Sequence, residues 1–467
     1  MSDPVDLTQC TAAELVARFR SKEASPVEAT RAVIERIERV DPMINSFSLV
    51  DAESALRTAR ESEQRWQAQR PLGALDGVPA LIKDLILTAG WPTLRGSRTV
   101  DAAQPWEVDA PVTARLREAG AVLIGKTTTP EFGCKAETNS ARTGITRNPW
   151  DVSKTSGGSS GGTAAAVAAG LGPVGIGTDG AGSIRIPAAF CGNVGFKPSF
   201  GRVPAYPMSP FGTVSHTGPH TMSVIDAATM MNVLAQPDAR DWTSLPPAPI
   251  DHLAGIDDGI AGLRVAFSPT LGYVANVHPE VAAAVAAAAT ELGAAGAIVD
   301  LVDPGFGDPL EISTGLWFTG AWTLWNTLSP EQQAVTDPDF AEQARLGSLM
   351  TSLDVQRLNL RRGELGSMMR QFMTRYDLLV TPSVAVPAFD AVPAGHRPMT
   401  PETMLGWTPF SYPFNLTQQP ACTIPCGLTS SGLPIGLQFV GPMFADALVL
   451  RAARAYEQRH PVPRPDL

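Results

Sequence analysis

Cysteine, histidine and charge are all in short supply in this chain. Its 467 residues include 5 cysteines and 6 histidines. Cys10, Cys134, Cys191, Cys422 and Cys426 are odd in number and scattered, with no C-x-x-C pair among them. That argues against a disulfide framework and against a thiolate metal site, and leaves reduced thiols in a cytoplasmic protein as the expectation. Charged residues amount to 18%, with 36 lysines and arginines against 46 acids and a net charge of -10. No surface for nucleic acid is implied. Asp3 and Asp6 stand where a secretory signal would lead into an apolar run, and no such run follows. The uncharged segment 155–178 is broken by glycine, serine and Gly172-Pro173, so it is not a membrane span.

What the chain does have is apolar bulk, 44% of its residues, together with 42 glycines and 41 prolines. Such a composition builds a sizeable core rather than a disordered chain. Length alone would allow about three domains of ~150 residues, although large α/β enzymes often fold as one unit. Helices are expected over 11–20, 26–39 and 51–69, the second opened by Ser25 as N-cap, Pro26 at N1 and Glu28 at N3. Strands follow at 77–82, 121–124 and 174–178, alternating with helices over 110–119 and 163–169, and a short helix begins near Ser183. After a Pro/Asp-rich connection over 236–258 come a strand over 263–267, a helix over 279–292 and a strand over 297–302. Strands at 377–380, 421–425 and 434–440 and a helix over 445–459 close the chain, with 382–401 as a Pro-rich surface loop. The fold class is α/β: a mixed central sheet covered by helices on both faces.

Two serines lie in glycine-dense loops. Ser159 is set in Gly157-Gly158-Ser159-Ser160-Gly161-Gly162, and Ser183 in Thr178-Asp179-Gly180-Ala181-Gly182-Ser183-Ile184-Arg185. Glycine clusters often make only tight turns, and some cradle phosphates. A P-loop needs a lysine after its last glycine, whereas Thr163 follows here, and no G-x-G-x-x-G opens a helix with an acid about 20 positions on. Both nucleotide readings are weak. A serine hydroxyl becomes a nucleophile only when a base is held against it and donors await the oxyanion. Lys83, at the end of the apolar run Val78 to Ile82, is the candidate base, although by position alone a lysine after a strand reaches solvent.

Taken in order, Gly77-Val78-Pro79-Ala80-Leu81-Ile82-Lys83-Asp84, the first serine loop and the stretch Thr178 to Gly192 resemble the amidase signature family. The likeness continues through Phe196 to Arg202, Asn148 to Asp151, Tyr376 to Pro382, Pro413-Phe414-Asn415-Leu416 and Gly432 to Gln438, and the two serines are 24 positions apart, as in that family. The resemblance implies one amidase domain over 1–467: N-terminal helices over 1–70, a signature core over 71–230, and a variable substrate-side segment with C-terminal strands on the same sheet over 231–467. It further implies a Ser-Ser-Lys triad with Ser183 as nucleophile, Ser159 as bridge after a cis bond from Gly158, and Lys83 as base. A lysine at its ordinary pKa of ~10.4 is protonated at neutral pH, so Lys83 must be desolvated to serve. Backbone N–H groups of Gly180, Ala181, Gly182 and Ser183 are the expected oxyanion donors, with Gly158, Ser160, Asp179 and Arg185 as supporting residues. The family pattern has two adjacent glycines before the nucleophile, whereas this chain has Ala181-Gly182 preceded by Gly180. Alanine is costly at positive φ, so Gly180 offers another place for the strained conformation.

The implied reaction is hydrolysis of a small apolar or aromatic amide to an acid plus an amine or ammonia through an acyl-serine, with no cofactor and no metal. A homodimer is the family-level expectation. The catalytic A chain of glutamine-dependent tRNA amidotransferases shares the whole fold; in that branch an acidic residue shortly before P-x-N-L helps hold glutamine, and Leu405 to Tyr412 contains none. A catalytically inactive binding protein is the third reading, opposed by the joint presence of Lys83, Ser159 and Ser183. Candidates for the substrate wall are Phe132, Cys134 and Thr138, and also Trp317 and Trp322. Phe318, Trp322 and Trp325 recur at helical i, i+4, i+7 spacing, a stripe that suits core packing as well as a ligand face. No carboxylate or cysteine completes ligand spacing around His216 and His220, so neither a metal nor a histidine-based triad is expected.

Overall fold

A computed structural model of the chain describes residues 5–247 and 250–467. Asp3 and positions 248–249 of the Pro/Asp-rich connection lie outside them. The N-terminal helices α1 (Ala12–Ser21) and α2 (Pro26–Ile44) both start on capping boxes, Thr11 with Glu14 and Ser25 with Glu28. α2 continues past the expected end at Arg39, through Pro42, because buried Val40 and Ile44 extend the apolar stripe of Val33 and Ile37. α3 (Ala52–Gln67) follows.

Eleven strands pair into one mixed sheet among the described residues. They are β1 (Phe47–Val50), β2 (Pro79–Lys83), β3 (Val122–Thr127), β4 (Val174–Asp179), β5 (Val194–Lys197), β6 (His216–Thr221), β7 (Arg264–Phe267), β8 (Ile298–Leu301), β9 (Leu378–Pro382), β10 (Ala421–Leu428) and β11 (Pro434–Val440). Their order is β1-β3-β2-β4-β6-β5-β10-β11-β9-β7-β8, so the strands after residue 263 hydrogen-bond into the same sheet as those before it. Within it β2 runs parallel to both β3 and β4, while β4 is antiparallel to β6.

Side chains alternate across this sheet with the period of two that strand geometry requires. Leu81 belongs to the core layer it shares with α2, α3 and α5 (Gly161–Ala168), whereas Ile82 lies on the other face, in the core layer built with α4 (Pro111–Glu118), α7 (Val224–Leu234), α8 (Pro279–Ala294) and the helix Asp446–Glu457. Lys83, two residues beyond Leu81, therefore belongs to the α5 face. α5 is built from small residues and comes very close: a Cβ at Gly175 of β4 would lie 2.4 Å from Thr163 Cγ2. The N-terminus of α5, preceded by Ser159 and Ser160, is thereby set over the end of β2.

Several elements depart from the expectations above. β1, β5, β6 and α7 were not foreseen; β6 in particular carries Gly218 and Pro219, which local preference places outside strands. Its pairing with β4, His216 opposite Asp179 through Thr221 opposite Val174, overrides that preference. The expected surface loop 382–401 is only half a surface loop. Ser383, Val384, Ala385 and Ala388 are buried, since Val384 and Ala388 pack in the cluster that contains Phe190 and Trp317. None of the described helices is long and apolar enough to cross a membrane.

The tight seat of α5 on β4 yields a test. Gly175→Val overpacks it and is expected to cost about 1–3 kcal/mol, read as a lower urea midpoint at unchanged m-value.

Candidate active site

Lys83 ends β2 with no exposed surface. Its Nζ lies 2.7 Å from Ser159 Oγ, 2.9 Å from Ser160 Oγ and 2.9 Å from Thr178 Oγ1. Burial drives its ammonium pKa well below the ordinary lysine range, and the charge of Asp179 restores only part of the loss. That favours the neutral amine. Thr178 is a partner that the sequence did not reveal, for threonine is an ordinary strand residue and nothing marks this one except its place at the end of β4. Ser160 ties the two loops together. Its N–H donates to the Ser183 carbonyl at 3.1 Å, and its hydroxyl donates to the Thr178 carbonyl at 3.1 Å. Gly177 makes room for that hydroxyl, since a Cβ there would come within 2.8 Å of Ser160 Oγ. The Gly158–Ser159 peptide is cis, and a Cβ at Gly158 would lie 2.6 Å from the Glu137 carbonyl carbon.

The Ser183 loop is clamped from behind. Asp179 and Arg185 form a fully buried ion pair, with Arg185 Nε donating to Asp179 Oδ2 at 2.9 Å and Nη2 to Oδ1 at 3.0 Å. The remaining guanidinium N–H groups reach Asn415 Oδ1 at 2.6 Å, Gln438 Oε1 at 2.7 Å and the Ser411 carbonyl at 2.9 Å. Burial alone would raise the Asp179 pKa, but Arg185, Lys197 and Asn415 together hold it well below the usual carboxylate range. The sequence motifs around Asn415 and Gln438, outside the signature core, thus converge on Arg185.

Two expectations about the oxyanion donors need correction. The Gly182 N–H donates to Asp179 Oδ1 at 2.7 Å, so it is not free; Gly180, Ala181 and Ser183 remain as candidates. The strained conformation falls on Gly182, with φ of +125°, and not on Gly180. Ala181 escapes the left-handed region altogether. Gly180 is required for a different reason, because a Cβ there would lie 2.6 Å from Trp317 Cζ3.

Ser159 and Ser183 both line one cavity, whose walls come from the segments 85–112, 132–133 and 198–217 and from α9 (Leu310–Trp325). The segment 198–217 was not foreseen as a wall; in it Phe211 stacks on Trp317 with ring centroids 3.8 Å apart. Of the five wall candidates, Phe132 and Trp317 face the cavity and Cys134, Thr138 and Trp322 do not. Cys134 is buried behind it, its carbonyl accepting from Trp317 Nε1 at 3.1 Å. Thr138 Oγ1 accepts from the Gly161 N–H at 3.1 Å and so belongs to the start of α5. Trp322 lies on the side of α9 turned to the helix Pro338–Ser348, where a Cβ at Gly347 would touch the Phe318 carbonyl. His216 also lines the cavity, with Nδ1 2.8 Å from the Val214 carbonyl; burial keeps its pKa well below the ordinary range. His220 is buried in β6, its pKa pushed down to about 3 by burial and by Lys83.

The clamp makes a prediction for stability. Arg185→Met leaves Asp179 buried and unpaired, and is expected to cost about 3–5 kcal/mol, measured as a fall in the chemical denaturation midpoint.

Comparison with known proteins gives the family. Residues 28–450 match the Amidase family model. The chain is 38% identical over 463 residues to an acylamidase of Rhodococcus erythropolis, covering 97% of this chain and 95% of that protein. It is 37% identical over 482 residues to the A chain of the glutamyl-tRNA(Gln) amidotransferase of Myxococcus xanthus, covering 98% of each. The crystal structure of a bacterial aryl acylamidase of the amidase signature enzymes superposes with a TM-score of 0.90 at 31% identity, over 97% of this chain and 96% of that one. With the two serine loops and the buried lysine on one fold, the chain belongs to the amidase family.

Proposed function

We propose that this protein hydrolyses carboxylic amides through an acyl-Ser183 intermediate, with Lys83 as base and Ser159 as relay. The observation that carries the reading is the 2.7 Å contact between a fully buried lysine amine and Ser159, at the floor of the cavity that Ser183 lines. A neutral Lys83 takes the Ser159 hydroxyl proton while Ser159 takes that of Ser183, and Ser183 Oγ bonds to the amide carbon. The oxyanion so formed meets free N–H groups of the 180–183 loop. As the C–N bond breaks, the proton returns through Ser159 to the leaving nitrogen, which an amide requires because its anion leaves poorly. Water then gives its proton to the same relay, bonds to the acyl carbon and releases the acid with Ser183 restored.

Sequence identity to the acylamidase and to the amidotransferase chain is nearly equal, 38% and 37%, so the support for one over the other comes from the cavity lining. Its wall is mainly apolar, with Leu85, Val112, Phe132, Phe211 and Trp317 near the serines. That favours a free-standing hydrolase of apolar or aromatic amides, and the stretch 405–412 offers no acid for a glutamine ammonium.

Turnover of hexanoyl p-nitroanilide by the purified chain tests the reading. Ser183→Ala and Lys83→Met are expected to lose at least about 1000-fold in kcat/KM without loss of fold, and Ser159→Ala to keep slow residual turnover. Fluorophosphonate should label the wild type and not Ser183→Ala. Wild-type rates in Ser183→Ala would sink the assignment, and glutaminase activity appearing only with partner proteins would move the chain to the amidotransferase branch. The pH profile has a defined sign: kcat/KM rises with pH as the Lys83 ammonium deprotonates, with a midpoint well below 10.5, the ordinary lysine value.

A further inference from the structure

Of the residues lining the cavity, Arg95 and Asp241 carry a full charge, and they are not equivalent. Asp241 is already used: one oxygen accepts from the Ala205 N–H at 2.9 Å, and the other from the Thr243 N–H at 2.8 Å and the Thr243 hydroxyl at 2.6 Å. Among the described residues, the half-buried Arg95 guanidinium has neither a hydrogen bond nor a carboxylate within 4.0 Å. Asp84, the acid whose charge reaches it, is turned to the Leu94 N–H at 3.0 Å and to Lys126 at 4.0 Å. The Arg95 backbone is also fixed in place. With φ of +57° it occupies a region arginine rarely visits, held by its N–H to the Asp84 carbonyl at 3.0 Å and by its carbonyl to the Phe132 N–H at 2.8 Å. Gly133, next to Phe132, abuts Ser159, since a Cβ there would lie 3.3 Å from Ser159 Oγ. A cation without a partner among the described residues is thus anchored in the mainly apolar wall of the cavity that Ser159 and Ser183 line.

We infer that Arg95 is a specificity-determining residue, and that the substrate is an amide whose cavity-bound arm carries a carboxylate. A guanidinium with free N–H groups pairs a carboxylate in bidentate fashion, and a low-dielectric wall strengthens that pairing. A zwitterion such as glutamine fits less well, because both Asp241 oxygens are already engaged by backbone N–H groups, of Ala205 and Thr243. The inference rests on the amide-hydrolase reading above.

Two matched pairs test it. Hexanoyl p-nitroanilide against the mono-p-nitroanilide of adipic acid places the carboxylate on the acyl side; hexanoyl anilide against N-hexanoyl-4-aminobenzoate places it on the amine side. Wild-type protein should prefer the acidic member of one pair by about 10- to 100-fold in kcat/KM. Arg95→Asn, whose new side chain tolerates the left-handed backbone, should reduce that ratio to near unity, and Arg95→Lys should keep part of it. The same compounds titrated into Ser183→Ala protein by calorimetry report on Arg95 without turnover. Acidic members that neither react faster nor bind more tightly than their neutral partners overturn the inference. Arg95-dependent binding with no turnover in wild type would overturn the hydrolase reading alone.

Discussion

The buried pair of Asp179 and Arg185 is the constraint on which the site depends. An ion pair in the interior is tolerable only when its remaining donors and acceptors are met, because both charges have been stripped of water. Here all five guanidinium N–H groups are used, two on Asp179 and three on Asn415, Gln438 and the Ser411 carbonyl. The carboxylate in turn accepts the N–H groups of Gly182 and Ile184, at 2.7 and 3.2 Å, on either side of the nucleophile. The Ser183 loop is therefore wrapped around an anion. Those two N–H groups are thereby taken, leaving those of Gly180, Ala181 and Ser183 as the candidate donors to an oxyanion. Arg185 has a second effect through charge. It keeps Asp179 ionised, and that charge opposes the effect of burial on Lys83 without cancelling it.

Much of this was legible in the sequence, and the reasons differ from part to part. Helices α1 and α2 announce themselves through capping boxes and apolar periodicity, and β2, β4 and β11 through short apolar runs, because those signals are local. Strand β6 could not be read in the same way, since His216 to Thr221 form a strand only by lying against β4. The motifs at Asn415 and Gln438 were visible as patterns, yet their purpose depends on an arginine more than 200 positions away. No spacing rule carries that information.

The cavity wall was the least legible part. The stripe Phe318, Trp322 and Trp325 has the periodicity of a functional face, but Gly347 lets the helix Pro338–Ser348 press against that side, and Trp325 meets Phe340 there at 6.0 Å. What turns to the serines is the adjacent side, Trp317 and Leu324, seven residues apart. Trp317 can approach only because residue 180 is a glycine. The departure from the paired-glycine pattern thus has a physical counterpart: the glycine at 180 admits an indole, and the one at 182 takes the strained φ.

Four lysines are buried among the described residues, and their partners separate Lys83, the proposed base, from the rest. Lys135 meets the carboxylates of Asp337 and Asp339; burial lowers its pKa, but those charges outweigh burial and keep it protonated. Lys197 has its amine against the Gln419 carbonyl, and Lys126 against the Ile86 carbonyl and the hydroxyls of Thr93 and Thr88, both of which already donate to that same carbonyl at 3.3 Å. A carbonyl only accepts, so it can satisfy the N–H groups of an amine but can never offer its lone pair a proton. Lys83 alone of the four is surrounded wholly by hydroxyls, those of Ser159, Ser160 and Thr178. A hydroxyl both donates and accepts, so the neutral amine can take a proton from one neighbour while its own N–H groups stay bonded to the other two. Burial is common to all four lysines; a shell made wholly of hydroxyls is what fits Lys83 for the proposed role of base.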